Sequence, residues 1–217
     1  MDVLGLAGVV HGYGERDVLV GVTLGVAAGE CVVVVGGNGA GKSTLLRIAA
    51  GRERPAEGTA AFRGEAADEN AAGFRAGVAA VLEVGACYPD LTVREHLMFV
   101  ALAHGAGAEA GAVVARALAE HRLAGHGDAL PSGLSSGQAQ LLALAAAWVR
   151  PYALLVLDEP EQHLDTRARE ELARRVNDAK RGGAAVLVAT HDERLAEAVG
   201  DRAFTLDDGR LRAHVDR

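Results

Sequence analysis

The chain has 217 residues, half of them apolar, which is enough to bury a substantial core as a single domain. Its 29 acidic and 22 basic side chains leave a formal charge of −7, so no general attraction to nucleic acid or anionic lipid is expected. The longest run without a polar side chain, Leu141 to Val149, is less than half of the roughly 20 residues that a membrane-spanning helix needs. No secretory pattern opens the sequence, and the expected location is the cytoplasm. Cys31 and Cys87 lack metal-ligand spacing and are expected to be buried or incidental thiols.

In chain order, Val18 to Val26 alternates loosely, and Gly58 to Phe62 follows a Pro and Gly turn signal; together they predict an antiparallel β patch at a sheet edge. Cys31 to Val35, Ala153 to Leu157 and Ala184 to Ala189 are apolar runs without polar alternation. Such runs fit strands buried on both faces, and hence a parallel sheet. Helical segments start near Gly41, Asp165 and Asp192, directly after these runs, in the strand-then-helix order of an α/β sandwich. Between about Gly85 and Arg150 the pattern turns helical, opening on Thr92 with Glu95 three residues later as a capping box. One domain is expected over 1–217, with a helical lobe (about 85–150) inserted into a sheet core (about 1–84 and 151–217). After Asp165, Glu170 with Arg174 and Glu171 with Arg175 at i, i+4 predict a solvated helix face. Arg202 to Leu206 and Arg210 to Ala213 flank Asp207-Asp208-Gly209, a hairpin signal.

Gly36-Gly37-Asn38-Gly39-Ala40-Gly41-Lys42-Ser43-Thr44 has the spacing of a P-loop and lies between an apolar strand and a helix. Glycines let successive N–H groups turn inward onto phosphate oxygens, and the following helix points its positive end at the same anion. Lys42 is expected to reach the β- and γ-phosphates and Ser43 to offer its hydroxyl to Mg²⁺. At the end of a second buried strand, Asp158 is the expected metal holder and Glu159 the expected general base for the attacking water. His191 follows a third strand at the same end of the sheet, where it is placed to orient Glu159 and its water. The predicted fold is α/β: a P-loop NTPase (RecA-like) core of mostly parallel sheet, with an antiparallel edge and an inserted helical lobe.

Leu134-Ser135-Ser136-Gly137-Gln138, opening an apolar helix that runs to Val149, resembles the signature motif of the ATP-binding cassette (ABC) transporter family. The resemblance to its nucleotide-binding subunit covers nearly the whole chain. Tyr13 resembles the aromatic residue that stacks on adenine, Leu91-Thr92-Val93 with Glu95 the start of the helical lobe, Leu164-Asp165 the D-loop, and Thr190-His191-Asp192 the switch histidine. The resemblance implies that two copies close head-to-tail around two Mg-ATP, each signature motif gripping the γ-phosphate held by the other copy. It also implies an integral membrane subunit as partner, a position at the cytoplasmic membrane face through that partner, and ATP hydrolysis that powers transport. The alternative is a soluble or signalling ABC ATPase that drives a conformational change without transport; nucleic acid is not expected as a partner.

Several positions depart from the family pattern. Glu83 stands where most members have a magnesium-binding glutamine; as a carboxylate it is still expected to ligate the metal, with slower hydrolysis or altered coupling. Ser136 replaces the first glycine of the signature, and Gly37 a common proline. The stretch Glu161-Gln162-His163 is unusual, and His163 is expected to be structural or exposed. Trp148, among alanines and leucines, is expected to be core. The Glu83 stretch, with Tyr88-Pro89 after it, leans toward exporter-type members.

Overall fold

A computed structural model describes residues 2–82 and 87–214. The chain divides into two compact units, one of residues 1–82, 152–161 and 169–217, the other of 83–151 and 162–168. In chain order the elements are β1 (Asp2–Tyr13), β2 (Arg16–Ala27), β3 (Cys31–Val35), α1 (Lys42–Ala49), β4 (Glu57–Phe62), β5 (Glu65–Ala66), α2 (Ala72–Gly77) and β6 (Val78–Val81). They continue as α3 (Val93–Ala103), α4 (Ala110–Glu120), α5 (Ser136–Trp148), β7 (Leu154–Asp158), α6 (Thr166–Arg181), β8 (Ala185–Ala189), α7 (Glu193–Val199), β9 (Arg202–Asp207) and β10 (Arg210–Ala213).

The first unit carries two sheets. One has six strands in the order β10-β9-β3-β8-β7-β6, and only the β9–β10 hairpin in it is antiparallel. Its three middle strands are the apolar runs of the sequence, and Val32, Val33, Val34, Leu155, Val156, Leu187 and Val188 are 0% exposed. A continuous β-branched and leucine-rich run suits a strand covered on both faces, which is where a parallel sheet must lie. The remaining strands pair antiparallel in the order β2-β1-β4-β5. They form a sheet of their own, larger than the edge patch predicted. Long β1 gives no clear strand signal because Gly5, Gly8 and Gly12 interrupt its pattern, and the register against β2 shifts repeatedly along its length.

Helix α1 packs its buried Leu45, Leu46 and Ile48 into this core, next to Leu4, Leu19 and Leu187. Cys31 is buried at the start of β3, and its burial pushes the thiol up to about 12. Arg202 to Leu206 and Arg210 to Ala213 form the expected hairpin, turning at Asp208 (φ 44) and Gly209 (φ 71).

The second unit is helical, with Val93, Leu97, Val114, Leu123, Leu142 and Ala145 in its core. Thr92 starts α3 with the expected capping box: its hydroxyl accepts from the Glu95 N–H and the Glu95 carboxylate accepts from the Thr92 N–H. A cavity of about 290 Å³ lies among Cys87, Pro89, His96, Leu134, Ala139 and Leu142. Trp148 is half-buried, its ring 6.1 Å from that of His121. No described helix is long and apolar enough to cross a membrane.

Leu187 sits fully buried in the central strand β8. Leu187→Ala should cost about 2–5 kcal/mol of folding free energy, read by urea denaturation with the slope unchanged.

Candidate functional site

The site is set by strand ends. β3, β7 and β8 run parallel and adjacent, with Val34 beside Ala189 and Ala189 beside Asp158, so their carboxyl ends finish level. The residues after each strand therefore gather at one edge, the position at which open α/β sheets bind ligands.

After β3, the glycine loop turns into α1. Gly41 caps the helix at φ 103, a conformation that side chains with a Cβ rarely adopt, and a Cβ there would stand 2.9 Å from the Val18 carbonyl oxygen. At Gly36 a Cβ would come within 2.5 Å of the Leu206 carbonyl oxygen, so the loop is wedged against β9 as well. Lys42 opens α1 and folds back over the loop, its Nζ donating to the carbonyls of Gly36 (2.7 Å) and Gly37 (3.2 Å). Only 6% of it is exposed, and Nζ lies 3.7 Å from Glu159 Oε1.

Asp158 ends β7. Burial pushes its carboxyl above the usual range, and the neighbouring Glu159 charge adds to this, while a hydrogen bond with Ser43 and the Lys42 charge pull the other way. Its Oδ1 is buried without a hydrogen-bond partner. A buried carboxylate oxygen left over next to a hydroxyl is a hard-oxygen pair of the kind that suits Mg²⁺, so Ser43 and Asp158 fit that ion. Glu83, the third expected ligand, lies outside the described residues.

Glu159 has φ 44, an unusual conformation for glutamate, and its N–H donates to Ala189 O at 2.8 Å. This turn aims Oε2 at His191, whose Nδ1 is 3.1 Å away. His191 is the more open partner, with 61% of its side chain exposed against 17% for Glu159. Lys42 and His191 therefore stand together around the Glu159 carboxylate.

Tyr13, at the end of β1, is 51% exposed. Its hydroxyl donates to Glu53 Oε2 (2.6 Å), and His11 packs edge-on with ring centroids 5.2 Å apart. That arrangement leaves an aromatic surface open while fixing its outer edge, as a stacking platform requires.

In the helical unit, Ser135 caps α5 and forms a second capping box: its hydroxyl accepts from the Gln138 N–H, and Gln138 Oε1 accepts from the Ser135 N–H at 2.9 Å. The Gln138 amide nitrogen also lies 2.8 Å from His126 Nε2. Leu134 is half-buried, Ser136 is exposed and Gly137 sits tight, since a Cβ there would meet the His163 carbonyl oxygen at 2.8 Å. Asp165 accepts from the Ala168 N–H (2.7 Å) and pairs with Arg122, whose guanidinium reaches both carboxylate oxygens at 3.1 and 3.2 Å. Those two contacts hold its carboxyl below the usual range. His163 is exposed, with φ 60.

Glu53, Arg122 and His126 support predicted site residues yet carry no motif of their own. Arg122 and Asp165 are 43 positions apart, as Tyr13 and Glu53 are 40 apart, so no local spacing could signal either contact.

An α/β sheet with a glycine loop after a central strand and a helix opening on lysine defines the P-loop NTPase class. The family model for ABC transporters matches residues 19–162, and the chain belongs to that family. Nod factor export ATP-binding protein I of Burkholderia orbicola (strain AU 1054) is 36% identical over 91% of this chain and 66% of that protein. The sn-glycerol-3-phosphate import ATP-binding protein UgpC of Paracoccus denitrificans (strain Pd 1222) is also 36% identical, over 91% of this chain and 56% of its own length. The chain thus spans less than two thirds of these relatives, and export and import are named at equal identity. A solved dimeric, post-hydrolysis state of an ATP-binding cassette bound to ADP and Pi matches with a TM-score of 0.88 at 26% identity, over 99% of both chains.

Because the Asp158 carboxyl is raised by burial, ionising it costs folding free energy. That cost is absent below the unfolded carboxylate range, near pH 4, and grows as pH rises through the folded value. Asp158→Asn should therefore raise the melting temperature of the nucleotide-free, metal-free protein at about pH 7.5, with the gain shrinking as pH falls toward about 4.

Proposed function

We propose that the chain is an ATP-binding and ATP-hydrolysing subunit that closes with a second copy around two Mg-ATP and drives a separate membrane subunit. One observation carries the reading: Lys42, the Asp158-Glu159 strand end and His191 converge beside the glycine loop within a single unit. In this reading Tyr13 stacks on adenine, and the N–H groups from Gly36 through Gly37, Asn38, Gly39, Ala40 and Gly41 to Thr44 wrap the phosphates. Lys42 neutralises the β- and γ-phosphates. Ser43 and Asp158 hold Mg²⁺, which when bound supplies positive charge to the phosphate oxygens. Glu159 takes the proton shed by the attacking water, and His191 fixes that carboxylate through its 3.1 Å contact.

The second copy would contribute Leu134, Ser135, Ser136, Gly137 and Gln138 at its α5 N-terminus, with Asp165 at the seam between copies. Support comes from the N-terminus of that helix, whose positive dipole end suits an anion, and from the dimeric form of the similar solved cassette. An integral membrane partner would hold the dimer at the cytoplasmic face. Export and import names are equally similar, so no direction of transport is assigned.

Glu159→Gln keeps the side-chain shape and removes the base, so Mg-ATP binding should persist while kcat falls about 10²- to 10⁴-fold in a phosphate-release assay. Near-normal turnover would remove Glu159 from that role. Lys42→Ala should instead weaken Mg-ATP affinity itself in calorimetry, and an unchanged Kd would contradict the phosphate loop.

A further inference from the structure

The Asp158-Glu159-Pro160-Glu161 strand end carries a second glutamate, which the proposed chemistry leaves unused. Glu161 is 2% exposed, far more enclosed than Glu159, and its Oε1 accepts a 2.5 Å hydrogen bond from the Thr190 hydroxyl. Thr190 is itself fully buried, and its Oγ1 accepts from the Asp192 N–H at 2.9 Å. Between Thr190 and Asp192 stands His191, whose Nδ1 lies 3.1 Å from Glu159 Oε2 and 3.9 Å from Glu161 Oε1.

A buried carboxylate is costly unless its surroundings repay it, and burial here pushes the Glu161 carboxyl above the usual range. The Thr190 hydroxyl, a backbone hydrogen bond and the nearby His191 compensate only in part, and Oε2 is buried without a hydrogen-bond partner. The placement makes sense as a clamp. Beside the Glu159–His191 contact, two hydrogen bonds tie the β7 turn to the β8 turn, the first from the Glu159 N–H to Ala189 O at 2.8 Å and the second from the Thr190 hydroxyl to Glu161. The first tie sets the backbone of Glu159, and the second sets the loop that carries His191. The Thr190 N–H on Val34 O (3.2 Å) and the Arg169–Asp192 pair also hold this loop, and the Glu161–Thr190 bond adds a side-chain tie directly before an imidazole that is 61% exposed.

We propose that Glu161 is a positioning residue, which through Thr190 fixes the His191 ring against the Glu159 carboxylate. The inference rests on the ATPase reading above for its kinetic consequence, but the clamp itself is a property of the nucleotide-free chain.

Four variants test it: Glu161→Ala, Thr190→Val, which removes the hydroxyl at nearly constant shape, Thr190→Ser, which restores it, and His191→Ala. In nucleotide-free protein the His191 imidazole resonances, assigned by their loss in His191→Ala, should move in Glu161→Ala and Thr190→Val and return in Thr190→Ser. In phosphate release, Glu161→Ala and Thr190→Val should lower kcat by roughly tenfold or more with KM for Mg-ATP little changed, and Thr190→Ser should recover most of it. In a His191→Ala background, Glu161→Ala should cost nothing further, because both changes remove one effect. Unmoved His191 resonances, or full additivity with His191→Ala, overturn the clamp. If Glu161→Ala does not fold, the valine and serine pair decides the same question. A wild-type protein with no turnover sinks the ATPase reading, while the resonance test still decides the clamp.

Discussion

The parallel hydrogen-bond ladder through β3, β8 and β7 is the constraint on which the site depends. Ala189 is registered against Val34 on one side and Asp158 on the other, and the next residues extend the tie: the Thr190 N–H donates to Val34 O (3.2 Å) and the Glu159 N–H to Ala189 O (2.8 Å). Side-chain positions at a strand end are fixed by register, and a slip of one residue would reverse every side chain from one face to the other. Segments from three different parts of the chain thus bring Lys42 and His191 to within 3.7 Å of the Glu159 carboxylate. The strands are buried on both faces, so sliding would expose apolar surface, and the packing of the core enforces the geometry of the polar edge.

That edge concentrates groups that fold at a cost. Lys42, Asp158 and Glu161 are all largely withdrawn from water, and both carboxyls are raised by burial. Glu159 adds a backbone in the left-handed region, a conformation that costs about 1–3 kcal/mol when the surroundings do not favour it. Apolar strands beneath can offset such costs, each fully buried leucine or valine contributing roughly 1.5–3 kcal/mol. Rigid support and strained chemistry are therefore complementary halves of one unit.

The legible parts of this chain are those whose signal is local. The apolar runs form β3, β7 and β8 within a residue of their predicted limits, because burial on both faces leaves an unbroken pattern. The predicted capping box at Thr92 is likewise complete within four residues, while the one at Ser135 emerges only in the structure. β1 hides behind its glycines, and β6, only Val78-Ala79-Ala80-Val81, is too short to stand out from a helical pattern. Within the site, the motifs identify the groups facing the glycine loop but not what holds them. The Glu161–Thr190 bond spans 29 positions and the Tyr13–Glu53 bond 40, and such pairs exist only after the sheets have formed.

The two thiols of the chain are chemically unequal. Cys31 is buried at the start of β3, and burial pushes its thiol up to about 12, so it offers almost no thiolate to an alkylating reagent at neutral pH. Cys87 is only partly covered and lines the cavity with Leu134 and Ala139. Burial raises the Cys87 thiol as well, yet its partial exposure in the helical unit makes it the more accessible of the two to a maleimide dye. Its colour and lifetime would report on the surroundings of α5 without any engineered cysteine.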